Sequence, residues 1–211
     1  KRCSAPCVGK ISQEGYATAS VSAKAVAGRY QFHVAQLASA HQVALEGVTD
    51  AKVASATGKL TLGQKDQTAF EIDLAGIETV ADLAKAILDA EGNTGVKASL
   101  VRNGDETLLV LSADETGERN EMTTLDFSAL AGVTQKTLSA AQDAKVFLGG
   151  AGGIEITSAT NRFDNIIDGV ILTFTKTHAD GEEPLTVDIG RDDSATKGKV
   201  QTFVDAFNAL V

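Results

Sequence analysis

Tryptophan is absent from this 211-residue chain, tyrosine occurs twice, and aromatic residues make up 5% of the whole. Sugar cleavage needs paired acids flanking a cleft, usually with aromatic faces that grip the ring, and this chain is poor in those faces. Its carboxylates at Asp114, Glu115, Glu118, Asp192 and Asp193 read instead as solvated acidic loops. None falls into the alternation of acids, glycine and closing glutamate that holds calcium. Cysteine is limited to Cys3 and Cys7, and His33, His41 and His178 stand in separate segments, so no zinc set is complete. No serine sits in a Gly-x-Ser-x-Gly elbow. The one glycine cluster, residues 149–153, is followed by Ile154 where a phosphate loop needs lysine, so it reads as a hairpin turn. Basic residues are also short: 19 against 28 acidic ones, for a net charge of −9. Residues 1–16 carry three basic residues and one acidic, leaving the remainder at −11. A surface that acidic repels phosphate backbones and anionic membranes. No apolar run approaches the roughly 20 residues that span a bilayer, and no charged-then-apolar leader opens the chain. The expectation is no enzyme, cofactor, metal, nucleic acid or membrane, which leaves interaction as the function class.

What is present is a mostly β, α+β pattern. Residues 1–16 match nothing that follows and read as a poorly ordered terminus, either variable or foreign to the natural chain, with two incidental thiols. Ala17–Val21 and Arg29–Val34 read as a hairpin turned by Gly28, with Tyr30, Phe32 and Val34 inward and Arg29, Gln31 and His33 wet. After Gly58 come two short strands, 59–62 and 69–74. Thr79 and Asp82 make a capping-box pair for a helix over 80–90, whose apolar stripe is Val80, Leu83, Ala84, Ile87 and Leu88. Strands 96–101 and 107–111 flank Asn103-Gly104, a strong hairpin signal. Residues 112–126 read as a loop. Residues 57–139 hold seven basic and fourteen acidic residues. They form a β-β-α-β-β unit inserted into an outer domain made of 17–56 and 140–192, and such insertions are tolerated where their ends meet.

The stretch Thr157–Thr175, TSATNRFDNIIDGVILTFT, organises the outer domain. Ser158, Thr160 and Asn161 are helix-capping residues. Phe163, Ile166 and Ile167 follow at three and four apart, which predicts one helical turn ended by Gly169. Val170, Leu172 and Phe174 then mark the buried face of a strand, expected to pair with 185–189 across Asp180-Gly181. From Ser194 a last helix carries Val200, Phe203, Val204, Phe207 and Val211 on one face. That stripe stops mid-pattern, so 193–211 reads as the start of a longer helical region.

The ordered set SATNRFDNIIDGVILTF, LTVDIGRD and VQTFVDAFNALV resembles the filament-capping, hook-associated protein 2 family of the bacterial flagellum. AVAGRYQFHVAQLASAHQV agrees with that family as well. TVADLAKAILDAEGNTGVKASLV is similar to the repeat shared by flagellins and their caps. The resemblance implies two small antiparallel β-rich head domains, one inserted into the other, and a leg begun by 193–211. It also implies a homo-oligomeric ring at the filament tip, exported without a cleavable signal, that guides flagellin folding and polymerisation. Host-surface glycans or proteins are an added partner class under this reading. The alternatives are a β-rich adhesin or carbohydrate-binding module, and the outer domain of another hook-associated protein or flagellin. The latter would share the 79–101 repeat but not FDNIIDGVILTF.

Overall fold

The structure is a computed structural model that describes residues 7–104 and 106–191, together with 202, 204, 205, 207 and 208. The chain divides into two compact units. The first takes the chain up to Ala35, Lys145–Ile156 and the part from Asn161 onward; the second takes Gln36–Ala144 and Thr157–Thr160.

The first unit is built on two sheets. Five strands run in the order Cys7–Ile11, Leu185–Arg191, Gly28–Gln36, Ala144–Leu148 and Ile154–Ser158, and three more in the order Arg162–Ile167, Val170–Phe174 and Ala17–Val21. Within the expected loose terminus, residues 7–16 are therefore ordered. Cys7–Ile11 pairs antiparallel with Leu185–Arg191, Cys7 is disulfide-bonded, and Tyr16 is buried. Ser12 and Thr186 exchange hydrogen bonds, with the Ser12 amide donating to the Thr186 carbonyl at 2.9 Å and the Thr186 amide to Ser12 Oγ at 2.8 Å. The expected hairpin of 17–21 with 29–34 is also replaced, because these strands lie in different sheets. Likewise Val170–Phe174 pairs with Ala17–Val21 and Arg162–Ile167, while Leu185–Arg191 joins the five-stranded sheet. The sheets meet closely at Gly9, where a Cβ would stand 2.8 Å from the Ala19 methyl. A side chain there would push the strands apart, so glycine is required by the approach and not by a turn.

The predicted helical turn after Asn161 is a strand. Arg162 faces Thr173, Phe163 faces Leu172 and Ile167 faces Val170, with a bulge between the last two pairs. The three–four spacing of Phe163, Ile166 and Ile167 contains a second reading, since residues 163 and 167 share parity and fall on one strand face. Phe163 and Ile167 are indeed buried, and Ile166 is only half-buried. Ser158 Oγ accepts the Thr160 amide in a local turn. Gly169 turns the chain at φ 74°, the left-handed region.

The second unit packs the helix Val80–Asp89 with two sheets. One is Phe70–Asp73, Lys59–Gln64, Met122–Asp126, and the other Thr134–Ser139, Gln42–Glu46, Glu106–Ala113, Val96–Asn103. Thr79 and Asp82 form the capping box, and Val80, Leu83, Ala84 and Ile87 face a continuous core with Val43, Leu45, Leu60 and Leu109. Leu88, at 47% exposure, lies off that core. The boundary expected at residue 56 moves to Gln36, because Gln42–Glu46 pairs between Thr134–Ser139 and Glu106–Ala113. The expected loop 112–126 includes the strand Met122–Asp126, which pairs with Lys59–Gln64 and buries Met122. Asn93 closes the helix: its Nδ2 donates to the Ile87 and Val96 carbonyls at 2.8 Å, and its Oδ1 accepts the Val96 amide at 2.9 Å.

Three substitutions check these assignments by denaturant unfolding. Gly169→Ala would place a Cβ 2.6 Å from Ser22 Oγ in a left-handed backbone. It is expected to lose more than the roughly 1–2 kcal/mol of the backbone term alone. Phe174→Ala empties a site at 1% exposure and is expected to cost about 3–5 kcal/mol, whereas Ile166→Ala costs clearly less. An Ile166→Ala loss equal to that of Phe174→Ala would restore the helical reading.

Candidate functional site

Histidines were the residues most open to a chemical role, and the structure places all three inside. His33 was expected on a wet strand face. It is 8% exposed and packs between Phe147 and His178, with the two imidazoles stacked at 5.0 Å. His178 lies in the loop after Val170–Phe174, 4.6 Å from the Tyr16 ring. Its backbone amide donates to the Val34 carbonyl at 2.8 Å, and its Nδ1 accepts the Val34 amide at 2.9 Å. The imidazole thus replaces a strand partner at the end of Gly28–Gln36. Burial holds the His178 pKa below the ordinary imidazole range, and the neighbouring His33 adds to the effect. The Tyr16 hydroxyl donates to Glu182, which lowers that carboxyl's pKa. Lys176 Nζ lies 4.3 Å above the Tyr16 ring, a cation–π contact.

His41, in the second unit, is used the same way. Its Nδ1 accepts the Met122 amide at 2.9 Å, and its carbonyl accepts the Ala113 amide at 2.9 Å. Burial lowers its pKa against the opposing charge of Glu121. An imidazole nitrogen already occupied by a backbone N–H is poorly placed to act as a general base.

The glycine cluster is a hairpin turn between Ala144–Leu148 and Ile154–Ser158. Gly149 donates to the Gln31 carbonyl at 2.8 Å and Gly153 to that of Gly150 at 3.0 Å, so two of its amides are spent within the fold. A Cβ at Gly153 would fall 2.1 Å from the Leu148 carbonyl oxygen. Among the described residues no group of three His, Cys, Asp or Glu could hold a metal ion, and no helix is long and apolar enough to cross a membrane. Asp192 and Asp193 lie outside the described residues.

The remaining candidates are surfaces. Phe163, Ile167, Val170, Leu172 and Phe174 are all buried, with Phe174 5.7 Å from Phe32 and 5.4 Å from Phe163. They position the unit's surface and are not part of it. Of the last helix's stripe, Val204 and Phe207 are helical and exposed, at 41% and 61%, while Val200, Phe203 and Val211 lie outside the described residues. The sheet edge Val96–Asn103 exposes Leu100 and Val101, which sequence reasoning did not single out. Leu100 shares a strand face with the buried Ala98 and Val101 lies on the other face, so alternation gave no signal for this exposed pair.

Comparison with known proteins places this architecture. The family described as flagellar hook-associated protein 2 C-terminus matches residues 141–211, and the flagellin hook IN motif matches 59–115. The chain is 39% identical over 220 residues to the lateral flagellar hook-associated protein 2 of Vibrio parahaemolyticus, covering 95% of this chain and 49% of that protein. It spans about half the length of the curated relatives it matches. Among solved structures, FliD (HAP2) from Pseudomonas aeruginosa PAO1 superposes with a TM-score of 0.67 at 26% identity, over 93% of this chain and 94% of that one. The D1-D2-D3 domains of the Escherichia coli flagellar cap protein FliD share the fold, with a TM-score of 0.72 at 23% identity over 98% of this chain and 63% of that one.

A ligand that binds only the native state must raise its melting temperature as its concentration rises. Neither ATP–magnesium nor zinc is expected to shift the melting temperature of this chain by differential scanning fluorimetry. A concentration-dependent rise would show that a phosphate or metal site exists.

Proposed function

Because the chain belongs to the flagellar hook-associated protein 2 family, we propose that it is the head portion of a filament cap. It works by self-association and by contact with flagellin at the filament tip. The observation that carries this reading is the 39% identity over 95% of the chain to a hook-associated protein 2, joined to the two-unit β fold shared with cap proteins. The buried polar residues support a role without catalysis, since His41 and His178 complete backbone hydrogen bonding. In this reading residues 193–211 begin the leg. Val204 and Phe207, exposed here, face neighbouring leg segments of the whole protein, together with Val200, Phe203 and Val211. Localisation at the tip and export without a cleavable signal belong to the same proposal. The adhesin reading and a host-glycan partner draw no support from the relatives named above.

Two experiments test it. Purified full-length protein added to isolated filaments is expected to form a terminal plate under electron microscopy; bare filament ends at saturating protein would overturn the assignment. Phe207→Ala is expected to leave the melting temperature of the 211-residue chain unchanged, since the ring is largely in water. The same change is expected to weaken self-association of the full-length protein in analytical ultracentrifugation. A large loss of stability in the 211-residue chain would place Phe207 in the head's own core and remove it from the leg.

A further inference from the structure

Two histidines, one in each unit, hold the same unusual position, with a ring Nδ1 standing where a backbone carbonyl would stand. His178 accepts the Val34 amide, and His41 accepts the Met122 amide, both at 2.9 Å. Both side chains are almost fully buried, at 7% and 8% exposure. An imidazole accepts at Nδ1 only while neutral, because both ring nitrogens of the cation are donors. Protonation would set an N–H against an N–H and leave a buried amide without a partner, a costly arrangement.

We propose that His41 and His178 are acid-sensitive latches, each of which locks a strand end of its own unit while neutral and releases it when protonated. For His178 the surrounding charges add up to disfavour protonation. His33 stacks on it, the Nε2 of His178 is buried without a partner, and the charge of Lys176, over the neighbouring Tyr16 ring, adds to the effect. Glu182 and a backbone contact with Val34 oppose, and burial outweighs both; the Glu182 carboxylate already accepts the Tyr16 hydroxyl and the Ala179 amide. For His41 the opposing group is Glu121, and burial outweighs it.

The sign follows from the direction of the shifts. Both folded-state pKa values lie below the ordinary imidazole value, so the released state binds the proton more readily. The latches therefore contribute fully above about pH 6.5, the unperturbed value. Their contribution is lost progressively as pH falls from there toward the folded pKa, where the loss levels off. In that window, release that takes up one proton becomes more favourable by about tenfold per pH unit. Acid then loosens Val34 at the end of Gly28–Gln36 and Met122 at the start of Met122–Asp126, in separate units. The device rests on the geometry of this chain and is independent of the cap assignment.

Hydrogen–deuterium exchange at single-residue resolution tests it on the whole 211-residue chain. Between pH 7 and pH 5 the protection factors of the Val34 and Met122 amides, corrected for intrinsic exchange, are expected to fall by up to about tenfold per unit. Amides in Val80–Asp89 serve as the internal reference and fall less. His41→Asn and His178→Asn place an oxygen acceptor near the Nδ1 position without a titrating group, and each is expected to flatten the pH dependence of its own amide only. Protection independent of pH in the natural chain would overturn the proposal. So would an undiminished slope in the asparagine variants, which would assign acid sensitivity to carboxylates.

Discussion

The first unit depends on one contact: Phe174, at 1% exposure, held between Phe32 at 5.7 Å and Phe163 at 5.4 Å. Phe32 comes from the five-stranded sheet and the other two from the three-stranded one, so this aromatic cluster is where the sheets become one core. Edge-on and tilted ring pairs of this kind add to simple area burial. The cluster also joins segments far apart in sequence, because the second unit intervenes between Gly28–Gln36 and Ala144–Leu148. Those strands are nevertheless adjacent in the sheet, and Gly149 bonds to Gln31 across them. The chain can therefore leave and re-enter the first unit at one place, which is the condition an insertion must meet.

The elements legible in the sequence are those whose causes are local. The capping box of Thr79 and Asp82, the stripe from Val80 to Ile87 and the Asn103-Gly104 turn each declare themselves within a few residues, and each is found close to its expected place. What escaped reading is set by distant partners. Cys7–Ile11 is a strand because Leu185–Arg191 is there to pair with it. Gln42–Glu46 buries Val43, Ala44 and Leu45 in succession, a pattern without alternation that hides its sheet. Residues 163–167 fit both a helical and a strand period, and the Val170–Phe174 partner settles the matter. His33 reads as wet by alternation and is buried because the loop bearing His178 covers it.

The same division holds for function. Absences in composition pointed away from catalysis, and the resemblance in the central stretch pointed to the cap family, which the relatives carry across nearly the whole chain. The histidine arrangement had no sequence signal at all, since each ring finds its amide partner 144 or 81 residues away along the chain. A protein that works through its surfaces needs a core that holds those surfaces in place. In this chain the Nδ1 atoms of two buried histidines are spent on that task.

The central claim is that the first unit is a self-sufficient sandwich closed by Phe174, into which the second is inserted. The most direct measurement is thermal unfolding of a chain in which Ala35 is joined to Lys145 by a short Asn-Gly turn, removing 36–144. The account predicts a single cooperative transition, lost again on Phe174→Ala. A chain that melts without cooperativity and binds hydrophobic dyes, as molten states do, would show that the sheets need the second unit to close and would contradict the account.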